Sequence, residues 1–206
     1  PRLPPPPRLY GASRRNSTGR DLSIKADRDA LYPPPSGGAM PDLVTDPAAA
    51  ITKVQAGFHA WNARGGAERG RVLRAMADAL QAHHDPLVQL IAHEAGRGLQ
   101  DSIDEVREAI DFCRFYAAEM RRLAEPVVTQ SVPGEHCVQT WAPRGVGVVI
   151  APWNFPLAIL TGLTVAPLVA GNTIIMKPAE QTTIIAAELM EILTEAGVLA
   201  GVVNFL

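Results

Sequence analysis

From residue 46 to about residue 124, apolar residues recur at three- and four-residue spacing, the period of amphipathic helices. Ile51, Val54 and Phe58 fall on one face of a first helix, and Val72, Leu73, Met76 and Leu80 on one face of a second. Leu87, Leu90 and Ile91 predict a third, ended by Gly96. In the fourth and longest, Ile103, Val106, Ile110, Cys113, Ala117 and Met120 form one stripe. Glu105, Glu108, Phe112 and Phe115 share the opposite face, so this helix is expected to be covered on two sides, with a carboxylate at a buried edge. Cys113, inside the stripe, reads as a small buried hydrophobe, because a reactive thiol needs an exposed, electropositive setting.

After residue 127 the pattern changes. Val127 and Val128, and then 138–141, read as short extended segments around Pro133 and Gly134, with Cys137 at a turn edge. Residues 146–150 predict a buried strand, 151–156 a turn, and 157–169 a helix ended by Gly171. A second buried strand over 172–176, a helix over 182–196 and a third strand over 202–206 follow. Buried β-branched strands alternating with helices imply right-handed crossovers and a parallel sheet. The fold class is therefore α/β: a helical part over 46–124, short extended segments over 127–141, and a Rossmann-like βαβαβ unit over 145–206.

Composition changes the picture at both ends. Nine of the 18 prolines lie within the first 41 residues, so residues 1–45 are expected to be a largely irregular linker. The chain starts at Pro1 and stops inside the apolar run 201–206, which predicts an N-terminal fragment of a longer protein with its sheet unfinished. No charged residue occurs between Arg144 and Lys177, but Pro152, Asn154, Pro156, Pro167 and Asn172 interrupt that stretch, so no transmembrane span is expected. Lys plus Arg is 19 against 21 for Asp plus Glu, a formal net charge of -2 without the basic excess of a nucleic-acid surface. Two cysteines and five histidines give neither a disulfide framework nor zinc spacing, which predicts no metal site and a reducing, cytoplasmic setting.

Two turns carry candidate chemistry, both at carboxyl ends of predicted strands, where open α/β sheets bind ligands. In Ala151-Pro-Trp-Asn-Phe-Pro156 the two prolines stiffen a turn that aims the Asn154 amide at developing charge; the alternative is that Asn154 caps the following helix. In Lys177-Pro-Ala-Glu180 a carboxylate and an ammonium suit the hydroxyls of an adenosine ribose; the alternative is a solvated Lys and a Glu near a helix start. Glu180 would repel a 2′-phosphate and favour NAD over NADP, with Lys177 partly offsetting that preference. Neither G-x-G-x-x-G nor a P-loop occurs.

Gly145-Val-Gly-Val-Val-Ile-Ala-Pro-Trp-Asn-Phe-Pro156, Ala170-Gly-Asn-Thr-Ile-Ile-Met-Lys-Pro-Ala-Glu-Gln-Thr182, Glu195-Ala-Gly197 and Gly201-Val-Val-Asn-Phe-Leu206 together resemble, in order and spacing, the NAD-dependent aldehyde dehydrogenase superfamily. Upstream, Glu94-Ala-Gly-Arg97, Glu105-Val-Arg-Glu-Ala-Ile-Asp-Phe112 and Tyr116-Ala117 are similar to its 1-pyrroline-5-carboxylate (L-glutamate γ-semialdehyde) dehydrogenase branch. The proline-rich start, with Leu9-Tyr-Gly11 and Arg14-Arg-Asn-Ser17, resembles the connector before that domain in bifunctional proline utilization A flavoproteins. Between Ser36 and Asp46 the chain is too short for the β-hairpin that precedes the first helices in the family.

The resemblance implies a cysteine nucleophile, an oxyanion held by a backbone N–H and by Asn154, and hydride passing to NAD. It implies that Lys177 and Glu180 bind the adenosine ribose, and that Ile150, Ala151, Pro152, Trp153 and Ala179 line the cofactor cleft. It sets Glu108 and Phe155 toward the aldehyde, with a solvated helix Glu as the alternative for Glu108. The family's nucleophile, its water-activating Glu and its pyrophosphate site all lie beyond the motifs present, so this segment by itself is expected to be inactive. Implied partners are a small aldehyde, a covalently linked upstream proline dehydrogenase (flavin) domain, and further copies in a homo-oligomer. An aldehyde dehydrogenase of different substrate, or a catalytically inactive nucleotide-binding module, stays open at this point.

Overall fold

The computed structural model of the chain describes residues 15–32, 46–130 and 132–206. The linker expectation for 1–14 and 33–45, including Leu9-Tyr-Gly11 and the short stretch before Asp46, lies outside the described residues. Helices α1 (Lys25–Ala30), α2 (Pro47–Ala63), α3 (Gly65–Ala82), α4 (His84–Glu94) and α5 (Leu99–Leu123) precede an antiparallel hairpin of β1 (Val127–Gln130) and β2 (Cys137–Gln139). Then follow β3 (Val146–Ile150), α6 (Ala158–Val169), β4 (Thr173–Lys177), α7 (Thr183–Glu195) and β5 (Val203–Phe205).

β3, β4 and β5 form a parallel sheet in that order, with Val146 opposite Thr173, Ile150 opposite Lys177 and Met176 opposite Phe205. Alternation along β4 divides the core: Ile174 and Met176 join the main cluster with Leu160, Val165 and Ile185, whereas Ile175 packs with Ala50 and Val54 of α2. The sheet therefore lies between α2 and the pair α6–α7, and α3, α4 and α5 form a further layer over that pair. This is the expected α/β arrangement, a helical part followed by the first strands and helices of a Rossmann-like sheet.

The stripes of α3, α4 and α5 are buried as their spacing requires, and Cys113 is fully enclosed. Burial pushes its thiol far above the ordinary cysteine value, leaving it protonated and inert. The buried face of α2 differs from the predicted one: it is Ala50, Val54 and Trp61, while Ile51 is 42% exposed and Phe58 only partly covered. α2 approaches β5 through small residues, since a Cβ at Gly57 would lie 3.0 Å from the Gly201 carbonyl oxygen. Asp46 starts this helix, accepting from the Ala48 N–H at 2.9 Å, with Pro47 in its first turn.

Two further expectations are corrected. β3 is not a buried strand: only Val149 is enclosed, and Val148 and Ile150 are 61% and 69% exposed. Among the described residues it is an edge strand paired with β4 alone, and α2 lies chiefly over β4. Part of the supposed linker is also ordered against the body. The Ser17 N–H and hydroxyl donate to Asp111 at 3.0 and 2.9 Å, the Thr18 N–H donates to Gln81 at 2.9 Å, and Arg20 pairs with Asp85. With these anchors in place, Leu31 closes onto the core after α1.

Helix α6 determines how the layers lock together. It is apolar all round, carries Pro167, and has no side-chain cap of its own. At its C-terminal end Trp61 Nε1 donates to Leu168 O at 2.9 Å, which also accepts from the Gly171 N–H at 3.0 Å, and Arg69 Nε donates to Val169 O at 2.8 Å. The chain leaves through Gly171 at φ 101°, beside the Arg69 guanidinium. Trp61→Phe, which removes the indole N–H and its second ring and leaves Leu168 O with the Gly171 N–H alone, is expected to cost about 1–3 kcal/mol in denaturant unfolding. Ile51→Ala, on the face predicted to be buried but found exposed, should stay within about 0.5 kcal/mol.

Candidate active site

The parallel register brings the two candidate turns to one edge. Ile150 pairs with Lys177, and the Ala151 N–H donates to Lys177 O at 3.3 Å, so the chain leaves β3 and β4 side by side. Ala151 is buried; Pro152, Trp153, Asn154 and Phe155 are exposed and form the turn before α6. On the β4 side, Lys177 Nζ lies 3.3 Å from Glu180 Oε1 and donates to Pro178 O at 3.2 Å. Glu180 opens a short 3₁₀ turn over Glu180–Thr182. Its own backbone N–H, and then the Lys177 ammonium, hold this exposed carboxyl below the ordinary glutamate value. An ionised acceptor beside an ammonium donor, at the end of an exposed apolar strand face bearing Val148 and Ile150, has the chemistry to hold a ribose diol with a flat base alongside. Ala179, between them, is half-buried.

Asn154 does not cap α6, which removes the alternative role left open by the sequence. That position is filled from α5: Glu105 Oε1 accepts from the Leu157 N–H at 2.7 Å and the Ala158 N–H at 3.2 Å. Glu94, at the end of α4, does the same for α7, accepting from the Ile184 and Ile185 N–H groups at 2.7 and 2.8 Å. Both helix starts at this edge are thus occupied by carboxylates. A phosphate placed on either would displace an acid already using the donors and the dipole. The edge accordingly offers a place for a ribose and, among the described residues, no helix start for a diphosphate.

Glu105 is 1% exposed and its second oxygen lies 3.3 Å from Arg97 Nη1, an ion pair without hydrogen-bond alignment. Burial raises its carboxyl above the ordinary glutamate value; the Leu157 and Ala158 N–H groups and the Arg97 charge pull it back, and Glu108 adds to the rise. Glu108 itself is exposed, so the buried carboxylate of α5 is Glu105 and not Glu108. The cause is the rotation of α5 about its contact with α6: Glu105 reaches the start of α6, and Phe112, two turns on, fills the space beside Gly162, where a Cβ would lie 3.1 Å from the ring. Phe155 is partly exposed, with the Arg97 guanidinium 4.4 Å from its ring centroid. Among the described residues no three His, Cys, Asp or Glu side chains form a group able to hold a metal, and no helix is long and apolar enough to cross a membrane.

This geometry meets a clear family signal. The sequence profile of the aldehyde dehydrogenase family matches residues 43–206, and the chain belongs to that family. Within it, the chain is 40% identical over 148 residues to 1-pyrroline-5-carboxylate dehydrogenase of Staphylococcus epidermidis, covering 72% of this chain and 29% of that one. A point mutant of Bradyrhizobium japonicum proline utilization A superposes over 100% of this chain and 21% of its own, at a TM-score of 0.90 and 36% identity. The Thermus 1-pyrroline-5-carboxylate dehydrogenase solved with bound NAD gives 0.82 at 32% identity, covering 94% of this chain and 45% of its own. The chain spans about 29% of the length of the curated relative it matches.

Because burial raises the Glu105 carboxyl, the folded protein holds its proton to a higher pH than the unfolded chain does. Its contribution to stability therefore falls as pH rises from the ordinary glutamate value through the raised one. The stability difference between wild type and Glu105→Gln, followed by denaturant unfolding across that window, is expected to shift against the wild type as pH rises. An opposite trend would show that pairing with Arg97 outweighs burial.

Proposed function

We propose that the full-length protein carrying this segment oxidises L-glutamate γ-semialdehyde, formed from 1-pyrroline-5-carboxylate, to L-glutamate with NAD as hydride acceptor. The observation that carries the reading is the convergence, on one sheet edge, of a free Asn154 amide with the Lys177–Glu180 pair. The similarity to 1-pyrroline-5-carboxylate dehydrogenases supports this substrate over other aldehydes. The residues fit the adenosine half of NAD: Glu180 accepts from the ribose hydroxyls and Lys177 donates to them, while Ile150, Ala151, Pro152, Trp153 and Ala179 line the cleft. When bound, NAD supplies the acceptor for the hydride. Glu180 disfavours a 2′-phosphate, which selects NAD over NADP.

Asn154 serves the reacting carbonyl. Its amide N–H groups donate to the aldehyde oxygen as negative charge develops there, and a turn fixed between Pro152 and Pro156 needs little reorganisation to do so. Phe155 and Glu108 face the substrate, the phenyl ring against its carbon chain and the carboxylate toward its amino group. The nucleophilic cysteine is supplied from outside this segment, since buried Cys113 cannot ionise usefully and Cys137 lies on the β1–β2 hairpin beside Glu135. We further assign the whole protein to the cytoplasm, as a homo-oligomer with a proline dehydrogenase (flavin) domain joined upstream.

The test is formation of reduced nicotinamide by the full-length gene product supplied with the semialdehyde and NAD. Asn154→Ala is expected to lower kcat by about 10²–10³-fold, the usual effect of removing one oxyanion donor, with little change in the KM for NAD. Turnover of other aldehydes but not this one would shift the assignment to a different substrate. Absence of any aldehyde oxidation would contradict the reading.

A further inference from the structure

The turn that carries Asn154 is gripped from the opposite side by one residue that the sequence motifs leave without a role. Arg97 lies in the connector between α4 and α5, where Gly96, at φ 65°, reverses the chain in open space. Its side chain is only 18% exposed and reaches three targets. Nη1 donates to the backbone carbonyl oxygen of Asn154. The guanidinium lies over the Phe155 ring, 4.4 Å from its centroid. Nη1 is also 3.3 Å from Oε2 of Glu105, whose other oxygen holds the Leu157 and Ala158 N–H groups. Arg97 and Glu105 together therefore hold the turn at the Asn154 carbonyl, the Phe155 ring and the first two N–H groups before and within α6.

We infer that Arg97 is a positioning residue, which, backed by Glu105, fixes the Asn154 peptide and so sets the direction of its carboxamide toward the reacting carbonyl. The inference rests on the aldehyde-oxidation reading for its catalytic consequence, but the grip on the turn is a property of this chain. The Asn154 carboxamide is exposed and receives no hydrogen bond from the described residues, so its aim depends on the backbone that carries it. That backbone has no ladder partner after Ala151 and precedes α6, to which the Ile159 N–H joins it at the Phe155 carbonyl at 3.3 Å, leaving the Asn154 carbonyl to Arg97. A planar guanidinium suits the task, because it can donate in its plane to a carbonyl and stack its face on a ring at the same time; an ammonium does one or the other.

The experiment compares Arg97→Met, Arg97→Lys, Asn154→Ala and the Arg97→Met/Asn154→Ala double variant in the full-length protein. Two measurements are made: steady-state kinetics with semialdehyde and NAD, and amide hydrogen exchange over 153–158 without cofactor. Arg97→Met is expected to lower kcat roughly 10- to 100-fold, as a misaimed catalytic group does, with the KM for NAD unchanged. Arg97→Lys should fall between wild type and Arg97→Met, and exchange over 153–158 should quicken in the same order while the rest of the chain is unaffected. If Arg97 acts through Asn154, the double variant is no slower than Asn154→Ala alone. Multiplying losses, an unchanged kcat, or unchanged exchange over the turn would overturn the inference. Should Arg97→Met not fold, Arg97→Lys carries the same comparison. A wild-type protein that oxidises no aldehyde, yet whose turn loosens in Arg97→Met, would refute the proposed activity and leave the grip on the turn standing.

Discussion

The carboxylate of Glu105 on the first N–H groups of α6 is the interaction on which the arrangement depends. α6 is apolar on every side and begins without a capping residue, so donors left unpaired at its start would be buried at full desolvation cost. A single acid from α5 satisfies two of them, and the helix dipole favours its charge there. The acid is nonetheless expensive to enclose, which the raised proton affinity of Glu105 expresses, and Arg97 offsets part of that cost. At the other end, Trp61 from α2 and Arg69 from α3 satisfy the last carbonyls. α6 is thus tied at one end to α5 and at the other to α2 and α3, and the sheet that it connects takes its place from those ties.

The same device recurs on α7, where Glu94 fills the role that Glu105 plays on α6. Glu94 ends α4, Arg97 lies in the connector and Glu105 stands in the second turn of α5, so the junction of α4 and α5 fixes both helix starts and the turn between β3 and α6. The functional consequence is a division of labour at the carboxyl edge of the sheet. Helix starts that commonly receive phosphate are taken by acids, and the exposed polar groups that the described residues bring to the edge include the Asn154 amide and the Lys177–Glu180 pair. An edge built this way suits a nucleoside and a reacting carbonyl better than a diphosphate.

Much of this was legible in the sequence, for physical reasons that differ by element. The stripes of α3, α4 and α5 are regular because each packs by large side chains, and the strand–turn–helix order of 145–206 follows from β-branched runs punctuated by Gly and Pro. Of the face predicted for α2 only Val54 is enclosed, because the helix turns toward the body the small Ala50 and Gly57 at close contacts and Trp61 at its end. The strand over 146–150 was legible as an element, but its burial depends on what lies beside and over it, and among the described residues only β4 pairs with it. The roles of Glu94, Arg97 and Glu105 were not legible, since each acts on a partner more than fifty residues away in the chain. The available signal was the face of α5 shared by Glu105 and Glu108, and of the two it is Glu105 that is buried.

The claim most exposed to test is that this edge receives the nucleoside of NAD while both helix starts remain closed by their acids. The direct measurement is a crystal structure of the full-length gene product with NAD bound. The adenosine ribose hydroxyls are expected within hydrogen-bond distance of Glu180 and Lys177, with Glu105 still on Leu157 and Ala158 and Glu94 still on Ile184 and Ile185. A diphosphate resting on the start of α6 or α7, with Glu105 or Glu94 turned away, would contradict it.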